Sequence, residues 1–115
     1  MASFARLLTV AVALATPIGF GVSAHAEELP TFAVTLKAGR IEPARLEVPA
    51  GKKIKLALRN EGPGAAEFEG REVRVEKVLA AGASSFVVIQ PLRPGTYRFF
   101  DEFHPEAPDM ELVAK

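Results

Sequence analysis

Apolar and polar residues alternate along most of this chain in short runs, a pattern that predicts β-strands rather than helices. Turn signals, most of them containing glycine, recur about every twelve residues from Ala38–Gly39 onward. Regular short strands between such turns are typical of an all-β sandwich or barrel. The predicted strands are Phe32–Leu36, Leu46–Val48, Ile54–Leu58, Val73–Val75 with an extension to Leu79, Phe86–Ile89, Tyr97–Phe100 and Leu112–Ala114.

The apolar positions of these strands predict the core. The run Phe86–Ile89 is apolar throughout, which predicts a strand buried on both faces. Strands such as Phe32–Leu36 and Ile54–Leu58 instead alternate apolar residues with small or polar ones. The predicted core includes Leu46, Val48, Ile54, Leu56, Val88, Tyr97 and Phe99.

The first 26 residues have the organisation of a secretory signal peptide. Arg6 precedes the uncharged apolar run Leu7–Ala15, and Ala24–Ala26 places small residues at both ends of a three-residue cleavage signal. The alternative is a membrane anchor, but proline and glycine in the second half of the segment favour cleavage. We therefore predict a signal peptide at residues 1–26, export to the periplasm, and a single domain at residues 27–115.

Composition excludes several kinds of site. The chain of 115 residues has no cysteine, so it has no disulfide, no thiolate zinc site and no blue-copper (type 1) centre. Its formal net charge is zero, which argues against a nucleic-acid partner. Of its two histidines, only His104 lies beyond the predicted signal peptide.

Three segments carry a family resemblance: RIEPARLEVPAGKKIKLAL at Arg40–Leu58, NEGPGAAEFE at Asn60–Glu69, and PGTYRFFDEFHPEAPDM at Pro94–Met110. Together they resemble the cupredoxin family over nearly all of the predicted domain. The resemblance implies a Greek-key β-sandwich of seven or eight strands.

The resemblance also implies a set of metal ligands. In copper-binding cupredoxins the corresponding segments supply a histidine, a cysteine, a second histidine and an axial methionine. Here these four positions fall on Glu67, Asp101, Glu106 and Met110, so three ligands become carboxylates and the methionine is kept. Carboxylates suit hard cations such as ferric iron, whereas thiolates suit cuprous copper.

This replacement resembles one branch of the family, the EfeO-type domains and small FtrB-type periplasmic proteins of bacterial iron uptake. The strings Glu67–Glu69 and Phe100–Glu106 carry that resemblance. It implies a protein that binds ferrous or ferric iron and passes it to an iron permease in the membrane. A role in oxidising the iron, as part of a ferroxidase, is left open, because one mononuclear site needs a partner to accept the electron.

Further candidate ligands surround this set. His104 is the one imidazole available in the predicted domain. Glu69, Glu72 and Glu76 form a possible second acidic site near Glu67. The alternative is that these glutamates are surface charges paired with neighbouring basic residues such as Arg71.

The ligand positions have structural alternatives as well. Asp101 ends an aromatic strand, where it could instead pair with Arg98 or lie exposed. Met110 could fill the core rather than bind metal. Glu106 and His104 lie in a loop, where solvated side chains are common.

Two function classes therefore remain open. The first is a periplasmic metal-binding protein of iron uptake, with cupric copper as an alternative ion because it outcompetes ferrous iron at most nitrogen and oxygen sites. The second is a cupredoxin sandwich without metal that acts as an interaction module. Convergence of Glu67, Asp101, Glu106 and Met110 at one end of the sandwich would favour the first class.

Overall fold

Nine β-strands form within the described part of the chain, which is residue 11 and residues 28–115 of the computed structural model. No helix occurs among these residues, so none of the described chain could cross a membrane as a helix. The predicted signal peptide, apart from residue 11, and its cleavage site lie outside the described residues. The strands are β1 (Thr31–Lys37), β2 (Arg40–Glu42), β3 (Arg45–Val48), β4 (Ile54–Asn60), β5 (Ala66–Gly70), β6 (Glu76–Leu79), β7 (Ser84–Ile89), β8 (Gly95–Asp101) and β9 (Met110–Ala114).

The strands form two sheets that face each other across one core. The first sheet has the order β2-β1-β4-β7, and the second has the order β3-β9-β8-β5-β6. The pairs β1–β4 and β3–β9 are parallel, and the other neighbours are antiparallel. The all-β sandwich predicted from the alternation is confirmed, with the short strand β2 among the elements that the pattern did not predict.

The core follows the two-residue period of the strands. Phe68 and Phe99 are fully buried and their rings stack with centroids 4.9 Å apart. Of the predicted core residues, Val48, Ile54, Leu56 and Phe99 are buried, and Leu46 and Tyr97 pack against the core while partly exposed. The prediction for Val88 was wrong: it is partly exposed, and its neighbours Val87 and Ile89 are the buried residues of β7. The inner faces of both sheets therefore carry most of the apolar residues, and the outer faces carry most of the charges.

Two predicted strands differ in the structure. Val73–Val75 is not a strand. Strand β5 ends at Gly70, where any side chain would collide with the backbone oxygen of Val73. The chain makes a tight turn after Gly70, so β6 begins only at Glu76. The run Phe86–Ile89 is buried on one face only. Phe86 is 51% exposed, because it lies on the outer face of the edge strand β7, where Nζ of Lys55 is 4.4 Å from its ring centroid.

A buried amide shapes the turn that leads into β5. The side-chain nitrogen of Asn60 donates to the backbone oxygens of Gly64 (2.9 Å) and Leu79 (3.0 Å), and its oxygen accepts from the N–H of Gly62 (2.8 Å). Because every polar atom of this side chain has a partner, Asn60 lies 2% exposed without an uncompensated cost. The turn thereby fixes where β5 starts, and β5 carries the site.

Candidate functional site

Strand β5 places two glutamates on the outer face of the five-stranded sheet. Ala66 and Phe68 point into the core, so the alternating residues Glu67 and Glu69 point the other way. Antiparallel pairing puts Glu76 of β6 directly opposite Glu69. Three carboxylates from two neighbouring strands therefore meet on one surface.

Glu67, Glu69 and Glu76, called here the carboxylate cluster, lie close enough to share one cation. Each offers an oxygen, and these oxygens are within 4.8 Å of one another. Within residues 28–115 this is the only group of three acidic or histidine side chains with that geometry. It joins the first predicted ligand, Glu67, to two members of the predicted second acidic site.

Glu67 is the most enclosed member of the carboxylate cluster. It is only 9% exposed, and within residues 28–115 its carboxylate takes part in no ion pair. A hydrogen bond shared with Glu76, burial, and the charges of Glu76, Glu69 and Glu102 raise the pKa of Glu67 to about 7. Without a cation, the carboxylate cluster therefore holds a proton near neutral pH.

The pKa of Glu69 is raised as well. Burial is the first cause, and the charges of Glu102 and Glu76 follow. Glu102 also shares a hydrogen bond with Glu69. Negative charge thus accumulates at this point of the sheet without an equal positive charge beside it.

Arg71 follows Glu69 by two residues, but its guanidinium is paired with groups outside the carboxylate cluster. Arg71 donates through Nε to Asp109 Oδ2 (2.7 Å) and through Nη2 to Oδ1 (3.1 Å). Its guanidinium carbon lies 3.9 Å from the centroid of the Phe100 ring. Both contacts hold the guanidinium in place. The charge of Arg71 lowers the pKa of Glu69, but burial and the charges of Glu102 and Glu76 outweigh it.

Glu72, the remaining member of the predicted second acidic site, lies apart from the carboxylate cluster. Its carboxylate accepts from the backbone N–H, Nε and Nη2 of Arg98, at 2.8, 3.0 and 2.9 Å. These hydrogen bonds lower the pKa of Glu72. Glu72 therefore behaves as the paired surface charge that the alternative interpretation described, with Arg98 as its partner.

Asp101 is buried and its oxygens already have partners. Oδ1 accepts from the backbone N–H groups of Glu67 (2.9 Å) and Phe103 (3.0 Å), and Oδ2 lies 2.8 Å from Nδ1 of His104. Its strand partner is the core residue Phe68, so its side chain leaves the sheet on the inner side. Asp101 and Glu67 are adjacent in the backbone but project from opposite faces of the sheet.

His104 is oriented by Asp101. A carboxylate oxygen can only accept, so Nδ1 of His104 donates to it. Nε2 then points away from the hydrogen bond, and the His104 side chain is 30% exposed. His104 lies against the Gly39 turn, where the backbone approaches its Cβ closely.

Met110 and Glu106, the other two positions implied by the family pattern, do not join the carboxylate cluster. Met110 is fully buried among the core residues, on the inner face with its strand partner Phe99. Glu106 is exposed in the loop between β8 and β9. The structure therefore does not gather Glu67, Asp101, Glu106 and Met110 in one place, and metal binding by these residues stays a prediction.

One acidic neighbour was missed by the sequence interpretation. Glu102 follows Asp101 directly, and the family pattern drew attention to Asp101 instead. The two-residue period offered a signal, because a residue next to an inward-pointing one tends to point outward. The predicted core position of Phe99 already placed Asp101 inward and Glu102 outward, so this signal was available in the sequence.

The Gly39 turn gives a testable measure of how tightly His104 is held. Gly39 has φ +82°, and a Cβ there would lie 2.5 Å from Cβ of His104. We expect Gly39→Ala to destabilise the protein by about 2 kcal/mol or more, since the left-handed backbone alone costs roughly 1–2 kcal/mol.

Gly82→Ala is the matched control, because Gly82 has φ +78° and a Cβ at that position would meet nothing within 4 Å. Urea unfolding of both variants separates the backbone cost from the contact with His104. Equal losses in the two variants would show that His104 is not confined by Gly39.

Comparisons with known proteins identify the family to which this fold belongs. The cupredoxin-like domain family matches residues 7–114. An uncharacterized protein of Rickettsia prowazekii (strain Madrid E) is 33% identical over 73 residues, which cover 64% of this chain and 58% of that protein. The chain thus spans less than two thirds of the length of this relative.

Solved structures agree with the family match at the level of the fold. A copper binding protein, solved by NMR in its apo form, has a TM-score of 0.62 at 14% identity, over 74% of this chain and 86% of its own. Auracyanin from Roseiflexus castenholzii, in its dithionite-reduced crystal structure, has a TM-score of 0.61 at 14% identity, over 74% of this chain and 96% of its own. With nine strands in two sheets and a family match over most of its length, the chain belongs to the cupredoxin-like domain family.

Proposed function

We propose that this protein binds an iron ion at the carboxylate cluster and passes it, in the periplasm, to an iron permease of the membrane. The observation that carries the proposal is the environment of Glu67. Glu67 as a residue is only 9% exposed, and its carboxylate lies among other carboxylates and takes part in no ion pair with the described residues. Burying such a charge is costly unless a cation accompanies it.

The donor atoms favour a hard cation. The carboxylate cluster offers oxygen only, and oxygen ligands suit ferric iron and other hard ions better than they suit cuprous copper. Several carboxylates around iron favour its higher charge state. Binding and transfer are the proposed role, because oxidation of iron at one mononuclear site would need a separate electron acceptor.

The site is also open enough for a cargo ion. Glu76 is exposed and Glu69 is partly exposed, so only Glu67 is enclosed. An ion held by two accessible carboxylates can be released to another protein more readily than one enclosed by the core. The predicted signal peptide supports a periplasmic location for this transfer.

Cupric copper is the second candidate cargo. A copper binding protein is among the solved structures that share this fold, and cupric copper binds most nitrogen and oxygen sites more tightly than ferrous iron does. It would use the same carboxylates, and the absence of cysteine rules out a blue-copper centre.

Metal-dependent stability tests the proposal. We expect Fe²⁺, added without oxygen, to raise the Tm of the purified protein, since an ion at a hundred times its Kd stabilises the folded state by about 2.7 kcal/mol. Glu67→Gln should remove most of this rise. Differential scanning calorimetry with Fe²⁺ and with Cu²⁺ would also rank the two ions.

Glu47→Gln is the matched control, because Glu47 is an exposed glutamate paired with Arg45 and Lys115 at distances of 2.7 and 2.9 Å. It should leave the metal-induced rise in Tm unchanged. If no ion shifts the Tm of the wild-type protein, the metal-binding proposal fails and the interaction-module hypothesis is favoured.

A further inference from the structure

Strand β7 is the least protected edge of the sandwich. Edge strands present unpaired backbone groups that can pair with another chain, and proteins usually protect such strands by keeping them short and charged. The other three edge strands of the described chain have three or four residues each and carry charges, namely Arg40 and Glu42 in β2, Arg45 and Glu47 in β3, and Glu76 and Lys77 in β6. Strand β7 has six residues, with neither a charge nor a proline among them.

The backbone along the outer edge of β7 has no partner within residues 28–115. Strand β7 pairs with β4 alone, and no other backbone hydrogen bond of these residues involves β7. The carbonyl of Ala83, just before β7, accepts from the N–H of Asn60 in β4, so Ala83 faces β4 and alternate residues after it face away. The N–H and C=O groups of Ser84, Phe86 and Val88 therefore point away from the sheet.

The side chains of the same three residues lie on the outer face of the sheet, because Val87 and Ile89 point into the core. Phe86 is the largest of them and is exposed. Its neighbours across the sheet are small, with Ala57 directly opposite in β4 and Ala33 one strand further in β1. An exposed aromatic ring therefore stands beside unpaired backbone groups at one edge.

We infer that β7 pairs with β7 of a second copy of this chain, antiparallel, with Phe86 opposite the partner's Phe86. This register sets Ser84 opposite the partner's Val88, so all three residues whose backbone groups point outward form hydrogen-bonded pairs at once. The arrangement has two-fold symmetry and uses the same edge of both copies, so it closes at a dimer. It is independent of the proposed metal site.

The charge distribution favours a second copy over another partner. Because β7 has no charge, self-pairing sets no like charges opposite each other, and a basic or acidic partner segment would find no complementary charge in the strand. The formal net charge of the chain is zero, so two copies do not repel each other overall. Six residues from each copy form an interface smaller than the roughly 1,200 Å² of stable complexes, so the dimer is expected to be reversible.

Disulfide trapping tests the register, because the chain has no cysteine and Phe86→Cys would supply a single thiol. In the dimer the two thiols would lie on residues with Cα atoms about 5.5 Å apart, within reach of a disulfide. The Ser84 positions of the two copies would be about 14 Å apart, which a disulfide cannot span. Under mild oxidation Phe86→Cys should therefore form covalent dimers at least about tenfold faster than the matched control Ser84→Cys. Equal rates would indicate chance collisions and would overturn the inference.

Sedimentation velocity measures the association itself. The dimer fraction of the wild-type protein should grow with concentration up to about 1 mM. Phe86→Lys and Phe86→Glu should each stay monomeric, because like charges would meet at the two-fold axis, whereas an equimolar mixture of the two should associate. Val78→Lys is the matched control, since Val78 is an exposed apolar residue of the other edge strand β6, and it should dimerise as wild type does. A wild-type protein that stays monomeric at about 1 mM would overturn the inference, as would an equal loss of association in Val78→Lys.

Discussion

Replacing Asp101 by alanine should destabilise the protein by about 4 kcal/mol, since each of its three donors would lose its acceptor in the interior at a cost of roughly 1–3 kcal/mol. These donors are the N–H groups of Glu67 and Phe103 and Nδ1 of His104. The carboxylate has a side-chain exposure of 0%, so water cannot replace it without rearrangement. Guanidinium unfolding followed by circular dichroism measures the loss.

Asp101→Asn is the informative companion variant. Its amide oxygen can still accept from the two backbone N–H groups, but its amide nitrogen would face Nδ1 of His104 and would have to donate to it. We expect a smaller loss, about 1–2 kcal/mol, together with a change of the His104 tautomer, visible in nitrogen-15 NMR of the imidazole. Losses below about 1 kcal/mol in both variants would contradict the role of Asp101 as the acceptor that joins β5 to the loop.

The affinity of the carboxylate cluster for a metal ion should fall about tenfold between pH 8 and pH 6. The pKa of Glu67 is raised to about 7, so at pH 6 most molecules carry a proton that the cation must displace, whereas at pH 8 few do. Calorimetric titration in buffers of different ionisation enthalpy would measure both the affinity and the number of protons released. An affinity independent of pH over this range would show that the cation does not bind Glu67.

The stability of the metal-free protein should change in the opposite sense. The pKa of Glu67 is higher in the folded than in the unfolded chain, so between about pH 4.5 and 7 the folded state binds more protons. The free energy of unfolding should therefore decrease as pH rises through this interval. Glu67→Gln should flatten that decrease.

The carboxylates whose pKa values are lowered do not change the free energy of unfolding in this pH interval. Hydrogen bonds and charges from basic partners lower the pKa values of Glu47, Glu72 and Asp109. Their stabilising contributions are complete above their ordinary pKa values and are lost only in more acidic solution. Among the carboxylates with shifted pKa values, those of the carboxylate cluster therefore dominate the change in stability from pH 5 to pH 8.

The sequence was sufficient to predict the β-sandwich, because the alternation of apolar and polar residues that forms each strand is a local property. Alternation in Phe32–Leu36, Ile54–Leu58 and Tyr97–Phe100 reflects one buried face, and strands occur at all three places. Val73–Val75 also alternates, yet the close approach of Val73 over Gly70 keeps it out of the sheet. Phe86 is apolar but exposed, because edge position depends on strand order, and strand order is not a local property.

The sequence identified the acidic candidate residues but not which of them meet, because the contacts between strands are not a local property of the sequence. Glu67 and its neighbours Glu69 and Glu76 were recognised as acidic candidates, but spacing alone could not separate them from Glu72, which pairs with Arg98 instead. Asp101 resembled a ligand because of its position after an aromatic strand. Its hydrogen-bond partners depend on the pairing of Phe68 with Asp101, which only the folded register reveals.

The ion pair between Arg71 and Asp109 determines from which side a cation would approach the carboxylate cluster. Arg71 is immobilised beside Glu69 but is committed to Asp109 and to the ring of Phe100. Asp109 neutralises the charge of Arg71, so this rim of the cluster has no net charge, whereas the exposed carboxylates of Glu76 and Glu102 would attract a cation. A cation would therefore be attracted to the Glu76 and Glu102 side of the carboxylate cluster, and the neutral ion pair of Arg71 with Asp109 would neither attract nor replace it.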